Sequence, residues 1–176
     1  MNQVTNAQLS AVHNPSERDR YKAQHITFRT ANGNVFHFDS RWELDVFRLI
    51  RQCPIITEIH KDYRIEVLPQ TPHFPSRKWR LDFRLVTASG HILNIECKST
   101  STAMHADFRR TLENISYFHP TEFERLLVVL PSGSRKDLPR LSKYLRIPVY
   151  PDGLMKSATL ITGDDLGVFL RSFRFT

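Results

Sequence analysis

Three charged residues lie inside a stretch that otherwise reads as protein core. In "SRKWRLDFRLVTASGHILNIECKS", residues 76–99, apolar side chains alternate along two runs separated by Ala88-Ser89-Gly90, the pattern of two strands and a turn. Asp82 interrupts the first run; Glu96 and Lys98 interrupt the second. Successive side chains point to opposite faces of a strand, so Glu96 and Lys98 share a face, roughly 7 Å apart. The same alternation predicts Trp79, Leu81, Phe83 and Leu85 on one face of the first strand and Arg80, Asp82, Arg84 and Val86 on the other. In the ordinary hairpin register around the tip, Asp82 stands close to opposite Glu96, about 5 Å away. Two carboxylates at that spacing repel unless a cation lies between them. Mg²⁺ takes one or two carboxylates together with water and phosphate oxygens, and a neighbouring lysine can orient a water or stabilise charge building on a phosphate. A competing explanation is structural: Asp82 belongs to a solvated strip between Arg80 and Arg84, and Glu96–Lys98 is a surface pair worth under ~1 kcal/mol.

The surrounding elements decide whether such residues meet. "HITFRT" and "VFHFDS" read as two short strands around the Asn-Gly-containing "ANGN". "RWELDVFRLIRQ" follows Ser40, with Trp42, Val46 and Leu49 at helical spacing and Phe47 and Ile50 beside them. Ser40-x-x-Glu43 has the form of a capping box, which gives Glu43 a structural explanation of its own, and Asp45 suits the positive end of the helix. Cys53-Pro54 ends that helix. Residues 56–69 read as a strand with Ile59, Tyr63, Ile65 and Val67 as its apolar positions. After the opening hairpin, Met104, Phe108, Leu112 and Ile115 mark a second helix, and "RLLVVLP", residues 125–131, reads as a buried strand. A basic loop and short helix, a short strand at "RIPVYP" and a last helix near "GDDLGVFLRSF" complete the chain. The order helix, three strands, helix, strand predicts an α/β fold, a central mixed sheet flanked by helices. The expected organisation is a polar N-terminal arm over residues 1–24, a core over 25–131, and an extension over 132–176 that completes the domain or binds a partner.

Composition narrows the partners. The chain has 176 residues, 40% of them hydrophobic, and a formal net charge of +7, with a sequence pI of about 9.7. One domain with a substantial core is expected, and the positive balance favours polyanions, nucleic acid foremost. Cys53 and Cys97 form no disulfide framework, so a reducing, cytoplasmic setting is expected. No apolar run approaches a membrane span, and the N-terminus lacks the apolar segment of a signal peptide. No Gly-rich phosphate loop appears, and His60 and His73 lack the spacing of a zinc site.

The helix "FDSRWELDVF", the strand "WRLDF", the strand "IECKS", the helix "HADFRRTLENISYF" and the strand "RLLVVL" occur in an order that resembles the PD-(D/E)XK nuclease superfamily over about residues 36–131. Leu81 stands where that family often has proline. The resemblance implies a restriction-endonuclease-like core of order α-β-β-β-α-β and Mg²⁺-dependent phosphodiester cleavage, with Mn²⁺ as a substitute. By position it makes Glu43, Asp82, Glu96 and Lys98 catalytic. Asp82 and Glu96 are then metal ligands, joined by Glu43 and by Cys97 through its backbone carbonyl. Within the superfamily the pattern is most similar to the catalytic domain of TnsA-like transposon endonucleases and related phage nucleases, which implies DNA as substrate and a homodimer or a partner transposase or nuclease for the second cut. Stand-alone restriction, phage or repair nucleases share the pattern, and a non-catalytic DNA-binding module of the same fold is the alternative from another class. Arg77, Lys78, Arg80 and Arg84 flank the motif, and His105 and Arg109 share a helix face; all six are candidate DNA contacts.

Overall fold

A computed structural model describes residues 25–30, 33–152 and 154–172. The expected arm over residues 1–24 lies outside these. The chain separates into two compact units, 1–41 and 42–176. In the first, β1 (Ile26–Arg29) and β2 (Val35–Phe38) form an antiparallel hairpin, closed where Thr30 donates to the Asn34 carbonyl and Gly33 adopts φ 85°, a conformation open to glycine.

The second unit is an α/β sheet structure. Helix α1 (Arg41–Arg51) precedes β3 (Ile56–Leu68), β4 (Arg77–Thr87) and β5 (Ile92–Cys97). A short α2 (Thr100–Ala103), α3 (Ala106–Phe118) and α4 (Pro120–Glu124) lead to β6 (Leu126–Leu130). A 3₁₀ turn, α5 (Leu138–Leu145), β7 (Thr159–Thr162) and α6 (Gly163–Ser172) follow. The sheet order is β3-β4-β5-β6-β7, antiparallel from β3 to β5 and parallel from β5 to β7. The mixed sheet expected from the sequence is therefore present. Its last strand is "TLIT" rather than the expected "RIPVYP", which contributes only a bridge from Val149 to Leu160.

Helices cover both faces. Leu126, Val128 and Leu130 join one core cluster with Phe108 and Leu112 of α3 and Leu141 of α5. Leu127 and Val129 are equally buried and point the other way, toward α1 and α6. There the Trp42 indole N–H donates to the Val129 carbonyl at 3.2 Å, and the buried Cys53 thiol donates to the Leu170 carbonyl. Gly163 begins α6 because a Cβ there would come 2.4 Å from the Trp42 ring. No helix among the described residues is long and apolar enough to cross a membrane.

One expectation fails at Asp82. The β3–β4 ladder keeps one register through Lys61↔Phe83 and Tyr63↔Leu81, but Asp62, which falls opposite Asp82, has φ 58° and makes no ladder pair. A left-handed residue within a strand acts as a bulge does and re-aims the side chains beyond it. Phe83 stacks on Phe47 of α1 at 6.0 Å. Leu81 instead joins the cluster on α3, and Trp79 packs against it, its ring 6.2 Å from Phe108. Trp79, Leu81 and Phe83 thus do not share one face, and Asp82 sits where the strand changes sides.

Candidate active site

Asp82 and Glu96 come together at the end of β5. The β4–β5 ladder runs in the expected register to Phe83↔Ile95. One step further, the Asp82 carboxylate accepts the Cys97 backbone N–H at 2.7 Å. Glu96, only 2% exposed, contacts the Lys98 ammonium through Oε1, while its Oε2 is buried without a hydrogen-bond partner. Lys98 also lies 5.2 Å from the centre of the Phe108 ring, a cation–π arrangement that tethers it to α3.

The electrostatics follow from burial. Removal from water, reinforced by the Asp82 carboxylate, pushes Glu96 up to about 8 against the opposing pull of Lys98. Asp82 is raised by burial too, although Lys98, the Cys97 N–H and Lys61 all favour its charged form. Burial works against the Lys98 charge, but the Glu96 carboxylate, its hydrogen bond and Asp82 outweigh it and hold the ammonium above the ordinary lysine range. The Cys97 thiol is pushed well up by burial; it is a buried free thiol rather than an exposed donor. Two crowded carboxylates and one orphaned oxygen fit a hard cation, which prefers such ligands and relieves their repulsion.

Glu43 lies close enough to act electrostatically on Cys97 and pairs with a lysine of β3. Among the described residues no group of three or more His, Cys, Asp or Glu is spaced to hold a metal. Glu43 is buried on the first turn of α1, and its Oε2 is 3.8 Å from Nζ of Lys61. That lysine also meets Asp62 at 3.0 Å. Sequence reasoning missed Lys61, yet a signal was there: it occupies the parity of Ile59, Tyr63, Ile65 and Val67, where an inward apolar residue is expected.

The candidate DNA contacts divide. Arg77, Lys78 and Arg80 are exposed on β4, with Arg80 Nε 3.6 Å from Asp62. Arg84 is engaged inside the fold: Nη1 donates to both Glu122 oxygens at 3.1 Å, and the guanidinium lies 4.2 Å over the Tyr63 ring. His105 is the exposed N-cap residue of α3 and makes no side-chain cap bond. Arg109 pairs with Glu113 at 3.0 Å one turn along the helix and lies 5.5 Å from the Tyr144 ring. The chain matches no protein-family model and no curated protein sequence.

Proposed function

We propose that this chain is a metal-dependent DNA endonuclease with a restriction-endonuclease-like PD-(D/E)XK core, acting in the cytoplasm as the TnsA-like, end-cleaving component of a transposition system. The observation that carries the reading is Glu96, a nearly water-free carboxylate beside Asp82 with one oxygen unpartnered and the other on Lys98. A fold gains nothing in stability from such an arrangement. It gains a place for Mg²⁺ or Mn²⁺, with Asp82 and Glu96 as the holding residues.

With a divalent ion bound, the centre supplies polarisation of a phosphate oxygen and an activated water. The chain's own residues do the rest. The Cys97 N–H fixes the Asp82 carboxylate. Lys98 keeps its proton and offers positive charge where it builds on a phosphate. Glu43 is tied to Lys61, so its role is to shape the surroundings of the pair. Duplex cleavage requires two cuts, for which a homodimer or a partner transposase or nuclease is expected; a stand-alone restriction, phage or repair nuclease would use the same residues. The second reading, a DNA-binding module without chemistry, draws on Lys61, whose ammonium reaches both Glu43 and Asp62 and already favours the charged form of Asp82.

The deciding experiment is cleavage of supercoiled plasmid with Mg²⁺, Mn²⁺ or EDTA, beside Asp82→Ala and Lys98→Ala. Metal-dependent nicking or linearisation lost in both variants supports the endonuclease. If the wild type is silent, calorimetric titration with Mn²⁺ decides: binding that disappears in Asp82→Ala keeps the enzyme reading, and no binding at all ends it.

A further inference from the structure

Strands β3 and β4 continue as a two-stranded ribbon past the end of β5. Pairing of β4 with β5 stops at Phe83↔Ile95, while pairing with β3 runs on to Leu68↔Arg77. One side of the ribbon is packed: Ile65 and Leu81 are buried in the α3 cluster. The other side is exposed and carries the cross-strand pairs Arg64↔Arg80 and Glu66↔Lys78. Like charges directly opposite each other on a sheet are destabilising. Asp62 reaches Arg80 at 3.6 Å, but Arg64 makes no ion pair among the described residues. A guanidinium pair held facing solvent is ready for a polyanion.

The ribbon ends in a built tip. Thr71 N–H donates to the Phe74 carbonyl at 2.9 Å, and Phe74 N–H donates to the Thr71 hydroxyl at 3.1 Å. Pro72 and Pro75 flank the aromatic residue, which restricts the loop further. Phe74 is 72% exposed. A loop with its own hydrogen bonds and two prolines therefore holds a large apolar side chain in water. Arg77 lies just inside this tip, five residues and about 17 Å of strand from Asp82, at the same end of the sheet as the carboxylate pair.

We infer that the outer face of the β3–β4 ribbon is a docking surface for duplex DNA, with Arg64 and Arg80 on the phosphate backbone and Phe74 as an apolar contact within a groove. The inference rests on DNA as the partner but not on catalysis. Two strands about 4.8 Å apart fit against a B-form major groove about 12 Å wide, whereas the deep, narrow major groove of duplex RNA admits no such tip. An apolar side chain carried into the major groove contacts base edges, the thymine methyl foremost, while paired cations set register on the backbone.

The test is binding in EDTA by fluorescence anisotropy, using a labelled DNA duplex, the same duplex carrying 2-aminopurine, and an RNA duplex of matching sequence. Arg64→Ala should weaken DNA binding about tenfold and lower the salt slope by about one phosphate contact. Phe74→Ala should weaken it by about fivefold or more and abolish any 2-aminopurine response. Both side chains are exposed, so thermal unfolding should not move. Wild-type affinity in both variants overturns the inference even if the protein cleaves DNA. Equal binding of the RNA duplex overturns the groove contact. Weakened binding in both variants of a protein that never cleaves sustains the docking surface and counts against the nuclease alone.

Discussion

Two acidic clusters lie two residues apart on β5, and they are built to different ends. At Asn94 the strand meets Glu122 of α4, whose carboxylate takes Arg84 on both oxygens and the Asn94 amide at 2.6 Å. Only the Asn94 Oδ1, a neutral acceptor, is left without a partner. At Glu96 the strand meets Asp82 and Lys98, and there a carboxylate oxygen is left without one. The first cluster has a cation whose Nη1 reaches both oxygens of its acid at 3.1 Å, a charge-assisted contact that leaves neither oxygen alone. The second has two acids, Lys98 on one Glu96 oxygen, Lys61 acting on Asp82 from further off, and no hydrogen-bond partner for the last Glu96 oxygen. A buried charge without full compensation costs several kcal/mol, so the first arrangement serves the fold and the second needs another reason to exist.

The comparison can be broken most directly by exchanging the damage. Asp82→Ala and Lys98→Ala should each lower the rate of plasmid nicking by about a thousandfold, the scale of losing a group that acts on developing charge; Lys98→Ala, which strips the cation from buried Glu96, should also lower stability, whereas Asp82→Ala should leave the thermal unfolding curve in place or raise it. Arg84→Ala should do the reverse. Leaving Glu122 part-buried and unpaired should cost about 2–3 kcal/mol in urea unfolding, with nicking per folded molecule retained. If Arg84→Ala abolishes nicking without loss of stability, the division between the clusters is wrong.

A pH series sharpens it. Folded Glu96 holds its proton up to about pH 8, against an ordinary value of 4.5. Between those values the unfolded chain has released a proton that the folded chain retains, so stability falls as pH rises across that window and is complete only below it. In EDTA, the unfolding free energy should therefore drop on going from pH about 5 to about 8, by on the order of a few kcal/mol. Glu96→Gln should remove most of that slope, and a slope unchanged in the variant would refute the assignment. Mn²⁺ should restore stability at the alkaline end, because binding requires the carboxylates without their protons. The smallest effect is expected at the satisfied cluster: Glu122→Gln keeps most of its hydrogen bonds and should cost about 1 kcal/mol, with no change in metal binding by calorimetry.

Much of this was legible because it is local. Alternation and the Ala88-Ser89-Gly90 turn gave the hairpin and its register, and that register brought Asp82 to Glu96. Helical spacing gave α1 and α3, and the unbroken apolar run gave β6. The partner of Arg84 is not legible in the sequence, because a cation beside a motif looks the same whether it faces solvent or a carboxylate on α4, thirty-eight residues away in sequence. Lys61 was passed over because a lone lysine in a strand is ordinarily on the wet side. β7 went unread because four residues buried on every side carry no period.

The sequence by itself thus determined α1, β3 to β6 and α3, the hairpin register and the meeting of Asp82, Glu96 and Lys98, all set by contacts within about twenty residues of chain. Tertiary structure alone decided the rest. The left-handed turn at Asp62 moves Leu81 to the α3 side while Phe83 stays with α1. Packing of α1 on the sheet hands Glu43 to Lys61, and α4 hands Glu122 to Arg84. The reason is physical: a strand residue's parity can be counted along the chain, but what waits on either side of the sheet depends on segments that arrive from far away.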